Sequence, residues 1–258
     1  MHNFDEDINR LGTNSHKYDN LEKLYGLSPQ TALSMWTADM DFRAPKCVFD
    51  ALDKLSANGI FGYYGDQENY NRAVTQWYQI RHGWSINPSS ISVVHGLGAG
   101  IGLALKAFSQ ENDGVIVFSP VYHAFINIIK YNNRDLIQQP LEIHENEYFI
   151  NFEKLESSMT GKERILLFCS PHNPGGKIWS VEELTKIAKF CQKHDLIIIS
   201  DEIHNDLVIG SKKHVTFPIA VPEILNRLVV LVSSSKTFNI AGGLMGNVIV
   251  QNPILKQK

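Results

Sequence analysis

The chain holds 258 residues, 43% of them hydrophobic, enough to bury a substantial core in one large domain or one domain with appendages. Its formal net charge is −3 and it has no run of lysines or arginines, which excludes the basic footprint of a nucleic-acid binder. Cys47, Cys169 and Cys191 have neither metal nor disulfide spacing, so no metal site is expected and a reducing compartment suits them.

The opening stretch M-H-N-F-D-E-D-I-N-R is acidic and polar, unlike the basic and apolar leader of a secreted protein. Residues 1–45 are polar and broken by Gly12, Gly26 and Pro29, and read as an arm with short helices; residues 46–258 form the large domain. After Pro45, a suitable helix start, Val48, Leu52 and Leu55 give a helix over 47–58. Val74, Trp77 and Tyr78 give another over 70–81.

From residue 91 short β-rich runs alternate with helical stretches. Strands are expected at 91–94, 115–118, 135–138, 165–169, 196–200, 228–233 and 247–251, and helices at 99–109, 123–131 and 181–194. Apolar strands separated by helices predict an α/β fold with a mostly parallel sheet covered on both faces. The last run follows its predecessor too closely for a crossover helix, which makes it a candidate antiparallel strand. The apolar runs are strand-sized, too short to span a bilayer, so a cytoplasmic protein without membrane contact is expected.

In such sheets ligands bind where the strands end. The predicted strands are followed by His95-Gly96-Leu97-Gly98-Ala99-Gly100, Ser170-Pro171-His172-Asn173-Pro174-Gly175-Gly176, Asp201-Glu202-Ile203-His204 and Ser233-Ser234-Ser235-Lys236-Thr237-Phe238-Asn239. A lysine and an aspartate at neighbouring strand ends are the minimal set for pyridoxal phosphate: the amine condenses with the aldehyde and the carboxylate keeps the ring nitrogen protonated. A glycine-rich turn opening a helix offers backbone N–H groups to the phosphate. A dinucleotide site is the competing reading of that turn. The spacing of Gly96, Gly98 and Gly100 does not match it, and the second strand ends in Ser119-Pro120 without a ribose-binding acid. His123, His172 and His204 lie in separate motifs without metal-ligand spacing.

The segments S-S-S-K-T-F-N-I-A-G (233–242), S-P-H-N-P-G-G (170–176) and S-D-E-I-H (200–204) resemble the class I/II aminotransferase-like, fold-type I enzymes. W-T-A-D-M-D-F (36–42), V-Y-H-A-F (121–125), His204 and K-I-W (177–179) resemble the MalY/PatB-type cystathionine β-lyases among them. The resemblance runs from about residue 8 to the end. It implies a seven-stranded large domain, pyridoxal 5′-phosphate as cofactor, an amino-acid substrate and a homodimer.

By the same resemblance Lys236 binds the cofactor and removes the substrate α-proton, and Asp201 pairs with the ring nitrogen. Asn173 and His204 neighbour the phenolic oxygen, and Tyr122 stacks on the ring. Ser233, Ser235 and the backbone of Gly96, Leu97 and Gly98 hold the phosphate. Tyr63 or Tyr64 is lent to the partner subunit, with Tyr64 preferred. Trp36 and Asp39 are expected to fix the arm onto the large domain. The implied reaction is α,β-elimination of cystathionine or a cysteine S-conjugate to thiol, pyruvate and ammonia. Transamination and an inactive cofactor-binding or interaction protein are the alternatives. Leu244 stands where many aminotransferases carry a phosphate-binding arginine, which favours the lyase. Members of the family run on by about a further domain, so the C-terminal small domain and the arginine that grips the substrate carboxylate are expected to be missing here.

Overall fold

The computed structural model describes residues 3–258. By packing, the chain forms two compact units: one runs to Tyr63 and includes Phe238–Gly243, and the other comprises Tyr64–Thr237 and Leu244–Lys258. The packing boundary falls after residue 63, where the sequence reading divides the chain after residue 45.

The first unit carries α1 (His16–Asp19), α2 (Leu21–Tyr25) and α3 (Lys46–Asn58). The 36–42 motif is folded into it. Arg10 pairs with Asp39 at 2.6 Å and Asp41 at 2.8 Å, and Lys17 pairs with Asp41 at 2.6 Å. Trp36 Nε1 donates to the Lys17 carbonyl at 3.0 Å, and its ring meets Tyr25 edge-on. Trp36 and Asp39 thus brace the arm internally. Pro45 does cap α3, but none of that helix's side chains is buried, and Phe49, Leu52 and Leu55 are exposed.

The second unit begins with α4 (Glu68–His82), β1 (Ile91–His95), α5 (Leu97–Phe108), β2 (Gly114–Ser119), α6 (His123–Tyr131) and β3 (Asp135–Pro140). A small hairpin, β4 (Glu142–His144) and β5 (Glu147–Phe149), precedes α7 (Phe152–Ser158), β6 (Glu163–Cys169), α8 (Val181–Lys193) and β7 (Ile197–Asp201). Then come α9 (Phe217–Ala220), β8 (Leu228–Val232), α10 (Ser234–Thr237), β9 (Met245–Ile249) and α11 (Pro253–Lys256). Seven strands form one sheet in the order β1-β9-β8-β7-β6-β2-β3. Only β9 is antiparallel to its neighbours, as its short connection requires.

The central strands carry continuous apolar runs, Val115–Phe118, Ile165–Cys169, Ile197–Ile199 and Leu228–Val232, because both faces are covered. Ile116, Phe118, Leu166, Phe168, Ile198 and Val230 pack with Leu184, Ile187 and Phe190 of α8 and Tyr78 of α4. Their neighbours Val115, Val117, Ile165, Leu167, Ile199 and Val229 pack with Ile101 and Leu105 of α5 and Phe125 and Ile129 of α6. Each such side chain contributes roughly 1.5–3 kcal/mol of burial, so the sheet is a rigid platform for its rim. Helix α8 starts at a full capping box, Ser180 with Glu183.

Several details differ from the sequence reading, among them that β9 lies at Met245–Ile249, two residues before the expected 247–251. Helix α5 starts two residues earlier, at Leu97, and Asp201 is the last residue of β7 rather than the first beyond it. The hairpin β4–β5 is unforeseen, since three-residue strands are too short to show alternation. Its turn is set by positive φ at Glu145 (51°) and Asn146 (63°). Among the described residues no helix is long and apolar enough to cross a membrane.

Candidate active site

The parallel strands β1, β2, β6, β7 and β8 all end on one rim. From β2 the chain steps outward to β3, and from β6 it steps the other way through β7 to β8. A crevice is expected at that reversal. Tyr122, just past β2, and Asn173, just past β6, flank it.

Lys236 lies on α10, directly after β8, and Asp201 ends the adjacent parallel strand β7. The Lys236 charge acts on both Asp201 and His204, and the Asp201 charge reaches Tyr122. These four side chains thus share one electrostatic neighbourhood. Asn173 belongs to the same rim: Ser170 N–H donates to the Asp201 carbonyl at 2.9 Å, and Asn173 N–H donates to Cys169 Sγ at 3.3 Å.

Asp201 is 6% exposed and accepts the Ile203 N–H on Oδ1 at 3.0 Å. Burial pushes its pKa up to about 7, the Glu202 charge adds to this, and the Ile203 bond and Lys236 oppose it. Burial, then the Lys236 charge, lowers the pKa of His204, which keeps the imidazole neutral near pH 7. Burial, and secondarily Asp201, raises that of Tyr122.

Asp201 also makes the stability of the fold depend on pH. Its folded pKa lies well above the ordinary carboxylate value, so between about pH 4 and pH 7 the folded state holds a proton that the unfolded chain has released. Stability of the cofactor-free protein therefore falls, through this group, as pH rises across that window. Asp201→Asn should flatten this part of the pH profile in urea melts; parallel profiles for the two proteins would refute the assignment. Carboxylates with depressed pKa values, such as Asp41 and Glu163, act in the opposite sense, losing stability as pH falls.

At the start of α5, Gly96 has φ of 79°, in the left-handed region that favours glycine, and it caps the helix. Its own N–H is committed to the Val94 carbonyl at 3.0 Å. Leu97 and Gly98 open the first turn, where helical N–H groups lack intrahelical acceptors and the dipole favours an anion. Gly246 of β9 lies against this turn: a Cβ there would sit 2.5 Å from Leu97 Cδ2. Ser233 and Ser235 are buried, their hydroxyls 2.9 Å apart, and Ser233 Oγ donates to the Met245 carbonyl at 2.7 Å.

Tyr64 is 75% exposed and its hydroxyl accepts a bond from Gln67 at 3.2 Å, with no described bond to the strand-end cluster of its own chain. Sequence reasoning misses several supports. His172 Nε2 donates to the Pro120 carbonyl at 2.8 Å, stitching the loops after β2 and β6. The fully buried Cys169, its thiol pKa raised by burial, supports the Asn173 loop. Asp206 bonds Thr237, the neighbour of Lys236, at 2.9 Å. The visible signal for Asp206 is its position in the run that starts at Asp201.

Against known proteins, the chain is 38% identical over 257 residues to cystathionine β-lyase PatB of Bacillus subtilis, covering 99% of this chain and 66% of that protein. It is 30% identical to protein MalY of Escherichia coli, over 93% of this chain and 61% of MalY. The crystal structure of cystalysin from Treponema denticola, which contains a pyridoxal 5′-phosphate cofactor, superposes with a TM-score of 0.93 at 34% identity. It covers all of this chain and 66% of its own. The PLP-bound C–S lyase of Staphylococcus hominis, complexed with L-cycloserine, gives 0.91 at 30% identity, over 100% of this chain and 67% of that one. The chain thus spans 61–66% of the length of these two curated relatives. The family model for aminotransferase class I and II matches residues 33–257, and the chain belongs to that family.

Proposed function

We propose that this protein is a pyridoxal-phosphate-dependent carbon–sulfur β-lyase that cleaves cystathionine or related cysteine S-conjugates to a thiol, pyruvate and ammonia. The observation that carries the reading is the placement of Lys236 and the buried Asp201 at the ends of adjacent parallel strands. The donor set fits the cofactor. A carboxyl whose ionisation is opposed by burial matches a protonated ring nitrogen, which would restore its charge. Two buried hydroxyls and a helix start match a phosphate.

Bound there, the cofactor supplies an electron-poor ring that takes up the electron pair left at the substrate α-carbon. Lys236 would hold it through the amine and, once displaced by the substrate's own amine, would take the α-proton. Asp201 keeps positive charge at the ring nitrogen. Neutral His204 and Asn173 would bond the phenolic oxygen, and Tyr122 would cover the ring. Ser233, Ser235 and the N–H groups of Leu97 and Gly98 would bind the phosphate. The exposure of Tyr64 suits a residue given to the other site of a homodimer.

The lyase reading draws support from the C–S lyases among the similar proteins and from Leu244 in place of an arginine. Transamination shares the proton-abstraction step and is the reading that the family's name favours. With pyridoxal phosphate and cystathionine the protein is expected to release pyruvate. Consumption of a keto acid without pyruvate release would establish the aminotransferase instead. Neither activity with cofactor bound would favour a non-catalytic protein.

A further inference from the structure

Asp206 and Thr237 have no part in the chemistry above, yet they tie its two halves together. Asp206 Oδ2 accepts the Thr237 hydroxyl at 2.9 Å and Trp77 Nε1 at 2.9 Å. Its Oδ1 bonds His82 Nε2 at 2.9 Å. The Asp206 side chain is 3% exposed and that of His82 6%. Trp77 and His82 both belong to α4, so a fifteen-residue helix holds the carboxylate that holds Thr237.

The Lys236 turn needs such a tie. Helix α10 has four residues, far fewer than a helix requires to persist alone. The lysine amine rides on a flexible four-carbon stem, so the placement of the backbone beneath it sets where that stem starts. Before Lys236 the backbone is fixed by Ser233 bonding the Met245 carbonyl and by Ser235 N–H bonding Ser233 Oγ at 3.0 Å. After Lys236, the next residue, Thr237, is tied to Asp206. Asp206 in turn ends the compact segment that follows Asp201, closed by Ile203 N–H to Asp201 Oδ1 and Asn205 N–H to the Glu202 carbonyl. The Asp206–Thr237 hydrogen bond thus joins the turn bearing the amine to the turn bearing the carboxyl.

We propose that Asp206 is a positioning residue: gripped by Trp77 and His82, it bonds Thr237 and so sets the placement of the Lys236 amine relative to Asp201. The proposal rests on the cofactor reading given above. Small errors matter at such a site, since a displacement of about 1 Å can cost on the order of a hundredfold in rate. A carboxylate that only stabilised the fold would lower the melting temperature and leave the folded protein's grip on cofactor intact.

The test uses the full 258-residue chain with pyridoxal phosphate as the probe. Thr237→Val deletes the hydroxyl at similar volume, Thr237→Ser keeps it, and Asp206→Asn replaces the charge. Cofactor affinity, the rate at which the cofactor band forms, and its visible circular dichroism are compared, with a melt of each cofactor-free protein. Thr237→Val and Asp206→Asn are expected to weaken cofactor binding about tenfold or more and slow band formation, as loss of a hydrogen bond to a charged group implies. Thr237→Ser should stay within about twofold of the wild type, the range within which hydroxyl bonds of equal kind agree. If Asp206→Asn does not fold, the Thr237 pair decides. Wild-type affinity, rate and dichroism in folded Thr237→Val, or no rescue by Thr237→Ser, would overturn the proposal. A wild-type protein that forms no band would overturn the cofactor reading and this proposal with it.

Discussion

Lys236→Ala is expected to abolish the absorbance band that the protein acquires near the visible edge of the ultraviolet with pyridoxal phosphate. The band belongs to a covalent link through the amine, and no neighbouring side chain on that turn can replace it. β-Elimination should fall by roughly 10²–10⁴, the usual contribution of a placed proton acceptor, with loss of the covalent anchor added. The cofactor-free variant should keep its stability to within about 1 kcal/mol, because Lys236 is partly exposed and the apolar platform beneath it is untouched. A spectrophotometer and a urea melt check both parts. An unchanged band would show that the amine is elsewhere.

The second large effect is expected at Asp201→Asn. The substitution keeps shape and the bond from the Ile203 N–H, but removes the negative charge that holds a proton on the ring nitrogen. The covalent band should survive, since Lys236 remains, while pyruvate release falls by about 10²–10³, or about 3–4 kcal/mol of transition-state stabilisation. Without cofactor the same variant should be the more stable protein above about pH 7, where wild-type Asp201 must carry a buried charge. Loss of activity together with gain of stability separates an electrostatic role from a structural one. A variant with wild-type turnover would remove Asp201 from the mechanism.

Much of this was legible before any coordinates. Burial on both faces makes strands such as Val115–Phe118 and Leu228–Val232 continuous apolar runs, and helices between them force parallel order. Once the strands are placed, Lys236, Asp201, Asn173 and Gly96 fall at their ends by position alone. What stayed hidden depends on pairs far apart in sequence. Asp206 finds Trp77 across 129 residues and Thr237 across 31, and His172 finds Pro120 across 52. No local pattern marks such partners. The 36–42 motif is equally mute, since Asp39 and Asp41 acquire meaning only beside Arg10 and Lys17. Spacing also misleads about burial: the apolar stripe of α3 forms its helix yet buries none of its side chains.

The most direct measurement is chemical. The protein loaded with pyridoxal phosphate is reduced with borohydride, digested, and its peptides are weighed by mass spectrometry. The reduced cofactor should be found on the peptide that contains Lys236, and on no peptide when Lys236 is alanine. Cofactor fixed stoichiometrically to a different lysine, or to none, would contradict the account.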